Sequence, residues 1–169
     1  MKDKFIRAYM KVAETFAELS SARRLHVGAI VVRDDRIISI GYNGTPAGWD
    51  NNCEDRHYMD STAGSWLSPE EIQKRWPLED QQGRYCLTTR PEVLHAEMNA
   101  LMKLARSTES GHQATMFVTH APCLECAKGI FQAGIKSVFY KNSYRNTDGI
   151  DFLNRCGIDV IDINHKICS

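Results

Sequence analysis

From residue 95 onward the apolar residues switch repeatedly between helical and strand spacing: a helix near 95–107, a strand near 114–119, a helix near 123–133, a strand near 136–141, a helix near 147–156 and a strand near 158–163. Elements alternating in this way bury their apolar faces most readily as a layered α/β sheet. Upstream, Phe5, Ile6, Tyr9, Val12, Ala13, Phe16 and Leu19 recur at helical spacing with charges between them, which predicts an amphipathic opening helix over 2–20. The β-branched run at 27–32, the Asp34-Asp35 turn and the run at 36–42 predict a hairpin, which Asn43-Gly44 ends with turn chemistry.

Between these two regular regions, residues 45–91 mix Gly, Pro, Asn, Asp and all three tryptophans. We read this stretch as a partly ordered insertion held by packing of Trp49, Trp66 and Trp76 or by a neighbouring subunit. A short helix is expected after Ser68-Pro69-Glu70-Glu71, where serine can cap and proline can start. No repeat or Gly/Ser linker divides the chain, so residues 1–169 are expected to form one domain that includes the insertion. Lys plus Arg and Asp plus Glu both number 21, so no global field draws the protein to nucleic acid or an anionic membrane. There is no apolar run approaching the roughly 18 residues of a membrane span, and no signal-peptide core at the start. A cytoplasmic address with reduced thiols is therefore expected.

Of the six cysteines only Cys123 and Cys126 form a tight pair, and C-x-x-C in such a chain is read first as a metal or redox site. Pro122 precedes the pair at one helix start, and His95-Ala96-Glu97 opens another helix. One imidazole and two thiolates are a zinc donor set. With only three protein ligands the fourth position is left to water, which marks catalytic rather than structural zinc. Both ligand sets sit at helix N-termini, where the dipole favours thiolate over thiol.

Glu97 follows His95 by two residues, so the two side chains diverge by roughly 200° around a helix. It is expected to stand beside the metal as a general acid/base rather than as a fourth ligand. A redox pair, or half of a structural zinc knuckle with His95 in a helix cap, would also use C-x-x-C, but neither gives a reason for His-x-Glu. Cys53, His57 and Cys86 could form a second metal cluster in the insertion, although they lack a complete set of four ligands.

H-x-E combined with P-C-x-x-C is the signature of zinc nucleobase deaminases. The chain further resembles the deoxycytidylate deaminase family, in particular its phage and bacterial members, from about 24 to 160. The resemblance is carried by V-G-A-I-V-V at 27–32, G-Y-N-G-T-P-A-G at 41–48, N-N-C-E-D at 51–55 and V-L-H-A-E-M-N-A-L at 93–101. It implies a three-layer α/β/α cytidine deaminase-like fold around a five-stranded mixed sheet. The implied reaction is hydrolysis of dCMP to dUMP and ammonia at one Zn2+ per subunit, supplying dUMP for dTTP synthesis. Activation by dCTP and inhibition by dTTP, Mg2+ accompanying the regulatory triphosphate, and a homohexamer are also implied.

The same resemblance places Asn43, Ala96, Tyr144 and Arg145 at the substrate, and Asn43, Gly44 and Arg24 at a regulatory nucleotide. Gly41 and Gly44 would let backbone approach a ligand closely and Asn43 would bond a sugar hydroxyl, although a plain turn also explains Asn-Gly. Arg145 could hold the 5'-phosphate or be solvated. Arg23, Arg24 and His26 could meet a triphosphate or simply end a helix. Some phage relatives carry a second zinc, but the corresponding positions here, Ala22, Asn52, Tyr85, Thr89 and Val93, offer no usual ligand. Two rival readings remain: a tRNA adenosine deaminase, against which the neutral charge argues, and a silent zinc-stabilised nucleotide sensor, against which Glu97 argues.

Overall fold

In the computed structural model, which describes residues 1–62 and 66–167, β1 (Gly28–Arg33) is buried on both faces. Because side chains alternate along a strand, Ala29 and Val31 face one apolar cluster while Ile30 and Val32 face the other. β1 is therefore interior to a sheet. It pairs antiparallel with β2 (Arg36–Tyr42) through the Asp34-Asp35 turn, where both residues have positive φ (51° and 56°), as a type I′ hairpin requires. Its other edge pairs antiparallel with β6 (Thr115–His120), which is followed in parallel by β7 (Ser137–Asn142) and β8 (Asp159–Asp162). The five-stranded mixed sheet has the order β2-β1-β6-β7-β8.

Helix α1 (Asp3–Ala17) covers one face, burying Ile6, Met10 and Ala13 against Ile30, Phe117 and Phe139. On the other face α3 (Ala96–Ala105), α4 (Leu124–Gln132) and α5 (Asp148–Arg155) bury Ala100, Leu104, Ile130 and Leu153 against Val31, Met116 and Val138. This is the expected three-layer α/β/α arrangement of the cytidine deaminase-like fold. A short α6 (Ile163–Ile167) follows β8. No helix is long and apolar enough to cross a membrane among the described residues.

The 45–91 stretch is more regular than its composition suggests. β3 (Glu54–Tyr58), β5 (Gly83–Thr89) and β4 (Leu78–Asp80) form a separate antiparallel sheet in the order β3-β5-β4. The expected short helix is α2 (Pro69–Arg75), closed by a capping box in which Ser68 Oγ accepts from Glu71 N–H and the Glu71 carboxylate accepts from Ser68 N–H. α2 buries none of its residues. Tryptophan packing does not hold this region together: Trp49 is 55% and Trp66 67% exposed, and only Trp76 is half-buried. Cross-strand contacts do the work instead. Arg56 lies over the Tyr85 ring, Tyr58 packs against Tyr85, and Asp80 accepts from both Arg56 and Tyr58.

Candidate active site

His95 and Cys123 are the N-cap residues of α3 and α4, both in extended backbone and neither bonding its own helix end with its side chain. Their side chains are thus free to turn toward each other while the first helical bonds form behind them, from Asn99 N–H to His95 carbonyl and from Ala127 N–H to Cys123 carbonyl. Cys126, one turn into α4, is buried beneath. His95 Nδ1 lies 3.5 Å from Cys123 Sγ and 3.4 Å from Cys126 Sγ. The three donor atoms all fall within 4.8 Å of one another, and no other such group of His, Cys, Asp and Glu occurs among the described residues.

The donor set fits zinc. Bonds of about 2.3 Å to sulfur and about 2.0 Å to nitrogen, opened to the tetrahedral angle, hold nitrogen and sulfur roughly 3.5 Å apart. Two sulfurs and one imidazole nitrogen at that spacing leave one tetrahedral position without a protein donor. One thiol of the pair is poised for ionisation: Cys123 is held down to about 3, first because the Cys126 thiol donates to it and then because His95 does. Cys126, the donor of that pair, is pushed up correspondingly. The hydrogen bond to Cys123 raises the His95 imidazole.

Glu97 stands outside the three-donor group, as its offset from His95 predicts. It is 4% exposed, and burial pushes its carboxyl up to about 7, against the opposing pull of its own backbone N–H and the nearby His95. A carboxyl in that range exchanges protons freely at neutral pH.

A cavity of about 410 Å³ opens over these groups. His95, Ala96, Glu97 and Cys123 line it together with Asn43, Tyr144, Arg145 and Arg24, so most of the residues singled out from the sequence share one space. Arg145 lies 5.7 Å from the Tyr144 ring centre and has no ion-pair partner among the described residues.

Several expectations are altered by the geometry. The Asn43 amide is committed internally, accepting from Val27 N–H at 2.8 Å and donating to the Leu25 carbonyl at 2.8 Å, so it fixes the chain before β1 as well as facing the cavity. The close approach at Gly41 is to a helix rather than to a ligand: a Cβ there would stand 2.1 Å from the Ala96 carbonyl oxygen. Gly44 lines a second cavity of about 340 Å³ with Tyr42, Asn51, Asn99 and Lys103, apart from Asn43 and Arg24. Arg23 turns to Glu54 and Asn52, and His26 Nε2 bonds the Ala22 carbonyl, leaving only Arg24 of that trio at the first cavity. Cys53 packs beside Ser21 while His57 and Cys86 pair across β3 and β5, so these three do not gather into a metal site.

Glu54 and His120 are among the cavity-lining residues that the sequence reading did not single out. Glu54 lies inside the N-N-C-E-D run, and His120 sits three residues before Cys123. Those positions were the only signal. Ala22, Thr89 and Val93, positions that offer no second zinc ligand, also line this cavity.

The family model for the cytidine and deoxycytidylate deaminase zinc-binding region matches residues 3–142. The deoxycytidylate deaminase of Enterobacteria phage T4 is 33% identical over 176 residues, covering 93% of this chain and 89% of the phage protein. The crystal structure of the dCMP deaminase from cyanophage S-TIM5, in complex with dCMP and dUMP, superposes with a TM-score of 0.74 at 42% identity over 96% of this chain and 98% of that one. A tRNA:A34 deaminase shares the fold at a TM-score of 0.53 and 20% identity, covering 92% of this chain and 91% of its own. The chain therefore belongs to the cytidine and deoxycytidylate deaminase family.

Proposed function

We propose that this protein hydrolyses dCMP to dUMP and ammonia. The observation that carries the reading is the convergence of a His-Cys-Cys donor set and a buried carboxyl of raised pKa on a cavity that also holds Arg24, Tyr144 and Arg145. Likeness to phage proteins named as dCMP deaminases, one of them solved with dCMP and dUMP, supports this choice of substrate.

His95, Cys123 and Cys126 would hold the zinc. When bound, it supplies a Lewis acid that brings the ionisation of water down toward about pH 7. Glu97 takes a proton from the attacking water and passes it to the ring nitrogen next to the amine-bearing carbon. It then takes the second proton from the hydroxyl now on that carbon and delivers it to the amine, which leaves as ammonia while the oxygen stays as the new carbonyl. Burial is what lets one carboxyl serve in both directions. Tyr144 borders the nucleoside, Arg145 meets the 5'-phosphate through charged hydrogen bonds, and buried Ala96 offers backbone beside the base.

Residues 1–169 act as one deaminase domain in this reading, with Glu54 and Thr89 of the 45–91 segment closing a cavity wall. The second cavity, with Lys103 and Asn99 beside Gly44, is where we place a regulatory dCTP or dTTP with its Mg2+, in a homohexamer.

The test is ammonia release by zinc-loaded protein from dCMP, deoxycytidine, dCTP and a tRNA anticodon stem, each with and without added dCTP and dTTP. Turnover of dCMP, raised by dCTP and lowered by dTTP, is expected. Glu97→Gln should retain its zinc and lose turnover, and a fully active Glu97→Gln protein would sink the mechanism.

A further inference from the structure

His120 ends β6 and lines the active cavity half-buried, and the mechanism above gives it no task. The clue to its role is its neighbour. Thr119 is 3% exposed, and its hydroxyl oxygen accepts from Gly28 N–H at 3.2 Å while lying 3.1 Å from His120 Nδ1. A buried hydroxyl must give its own proton to an acceptor. Among the described residues His120 Nδ1 is the acceptor within its reach. Gly28 N–H donates to Thr119 Oγ1, which leaves the Thr119 O–H to donate to Nδ1 in the tautomer that carries its ring proton on Nε2.

An imidazole that accepts at Nδ1 carries its proton on Nε2. Burial also lowers the basicity of this ring, which keeps it neutral at pH 7. No described residue takes the Nε2 proton, so a fixed, uncharged N–H donor is left at the cavity wall. The cations Arg24 and Arg145 border the same cavity and suit a phosphate. An uncharged donor instead matches an uncharged oxygen.

We propose that His120 is a specificity-determining residue, donating from Nε2 to a neutral oxygen of the bound nucleoside, with Thr119 as the positioning residue that fixes its tautomer. The proposal rests on the nucleotide deaminase reading and adds to it a contact and a protonation state. The acceptor is the carbonyl of the pyrimidine ring or the deoxyribose hydroxyl, both of them uncharged oxygens.

The experiment compares wild type with His120→Leu, His120→Gln and Thr119→Val, all zinc-loaded and checked for folding by thermal melts. His120→Leu should raise KM for dCMP about three- to tenfold, the range of a lost neutral hydrogen bond, with kcat within about twofold. His120→Gln, which keeps a neutral N–H donor, should recover most of the loss. Nitrogen NMR of the labelled wild type should find Nε2 protonated and Nδ1 bare, and in Thr119→Val that preference should relax. Repeating the KM comparison with the 2',3'-dideoxy analogue of dCMP separates the acceptors: a penalty that persists assigns the ring carbonyl, and one that vanishes assigns the sugar hydroxyl. An unchanged KM in His120→Leu, equal penalties for Leu and Gln, or a proton on Nδ1 overturns the proposal. A wild type inert toward dCMP overturns the deaminase reading with it, and only that outcome touches both.

Discussion

Two glycines set how closely the two halves of the site can meet. A Cβ on Gly41 would stand 2.1 Å from the Ala96 carbonyl oxygen and 2.5 Å from Ala100 N, so α3 seats its backbone directly on β2. A Cβ on Gly149 would stand 2.1 Å from the Pro122 carbonyl oxygen, so α5 presses in the same way on the turn that carries Cys123. Gly41→Ala must push α3, and with it His95 and Glu97, away from the sheet. Overpacking of this kind costs about 1–3 kcal/mol, or roughly 2–4 °C in Tm per kcal/mol for a chain of this size. Displacing catalytic groups by about 1 Å can cost on the order of 10²-fold in rate, so kcat should fall far more than stability. Thermal melts and kcat measured on Gly41→Ala check this, and Gly44→Ala, with nothing nearer than 4.0 Å, should leave Tm unchanged. The His95, Cys123 and Cys126 group was legible in the sequence because a metal-donor pattern permits few residue types. Gly41 was legible as a point of close backbone approach but its partner was not, since what it touches lies 55 positions further along the chain and no local pattern records it.

At the level of elements, periodicity located every strand of the main sheet because each of those strands packs apolar residues against the core on at least one face. The same test is blind to β3, whose sequence Glu-Asp-Arg-His-Tyr is exposed after its first residue and pairs through charges and rings instead. α2 was legible for another reason, its serine cap and proline start, which need no buried face. β3 also explains how the added sheet bears on the site. Glu54, 2% exposed at its start, accepts from Arg23 N–H at 2.9 and 3.1 Å and from Arg24 N–H at 3.2 Å, pinning the loop from which Arg24 enters the cavity. Thr89 of β5 accepts from the Arg24 guanidinium at 3.0 Å. Glu54→Gln removes the charge and leaves a buried donor poorly met, at a cost of about 1–3 kcal/mol. A Tm lowered by several degrees and a raised KM for dCMP are expected. A variant that melts like wild type would show that the loop holds itself.

The whole molecule is electrically neutral, with 21 basic and 21 acidic side chains, so what it attracts is decided inside the cavity rather than by a long-range field. This separates the proposed activity from that of a polynucleotide deaminase, which grips several phosphates at once and loses affinity steeply as salt rises. A mononucleotide offers a single phosphate. Arg145 is exposed, unpaired among the described residues and close enough to His95 for its charge to oppose protonation of that imidazole, which puts a free cation beside the reacting centre. A charged hydrogen bond to phosphate is worth about 1.5–3 kcal/mol. Arg145→Ala should therefore raise KM for dCMP about tenfold or more while leaving KM for deoxycytidine unchanged, because the nucleoside has no phosphate to lose. Steady-state kinetics on both substrates at low and high salt decide the matter. A loss confined to dCMP assigns the phosphate to Arg145, whereas an equal loss on both would mean that Arg145 acts on the nucleoside through the Tyr144 ring it covers.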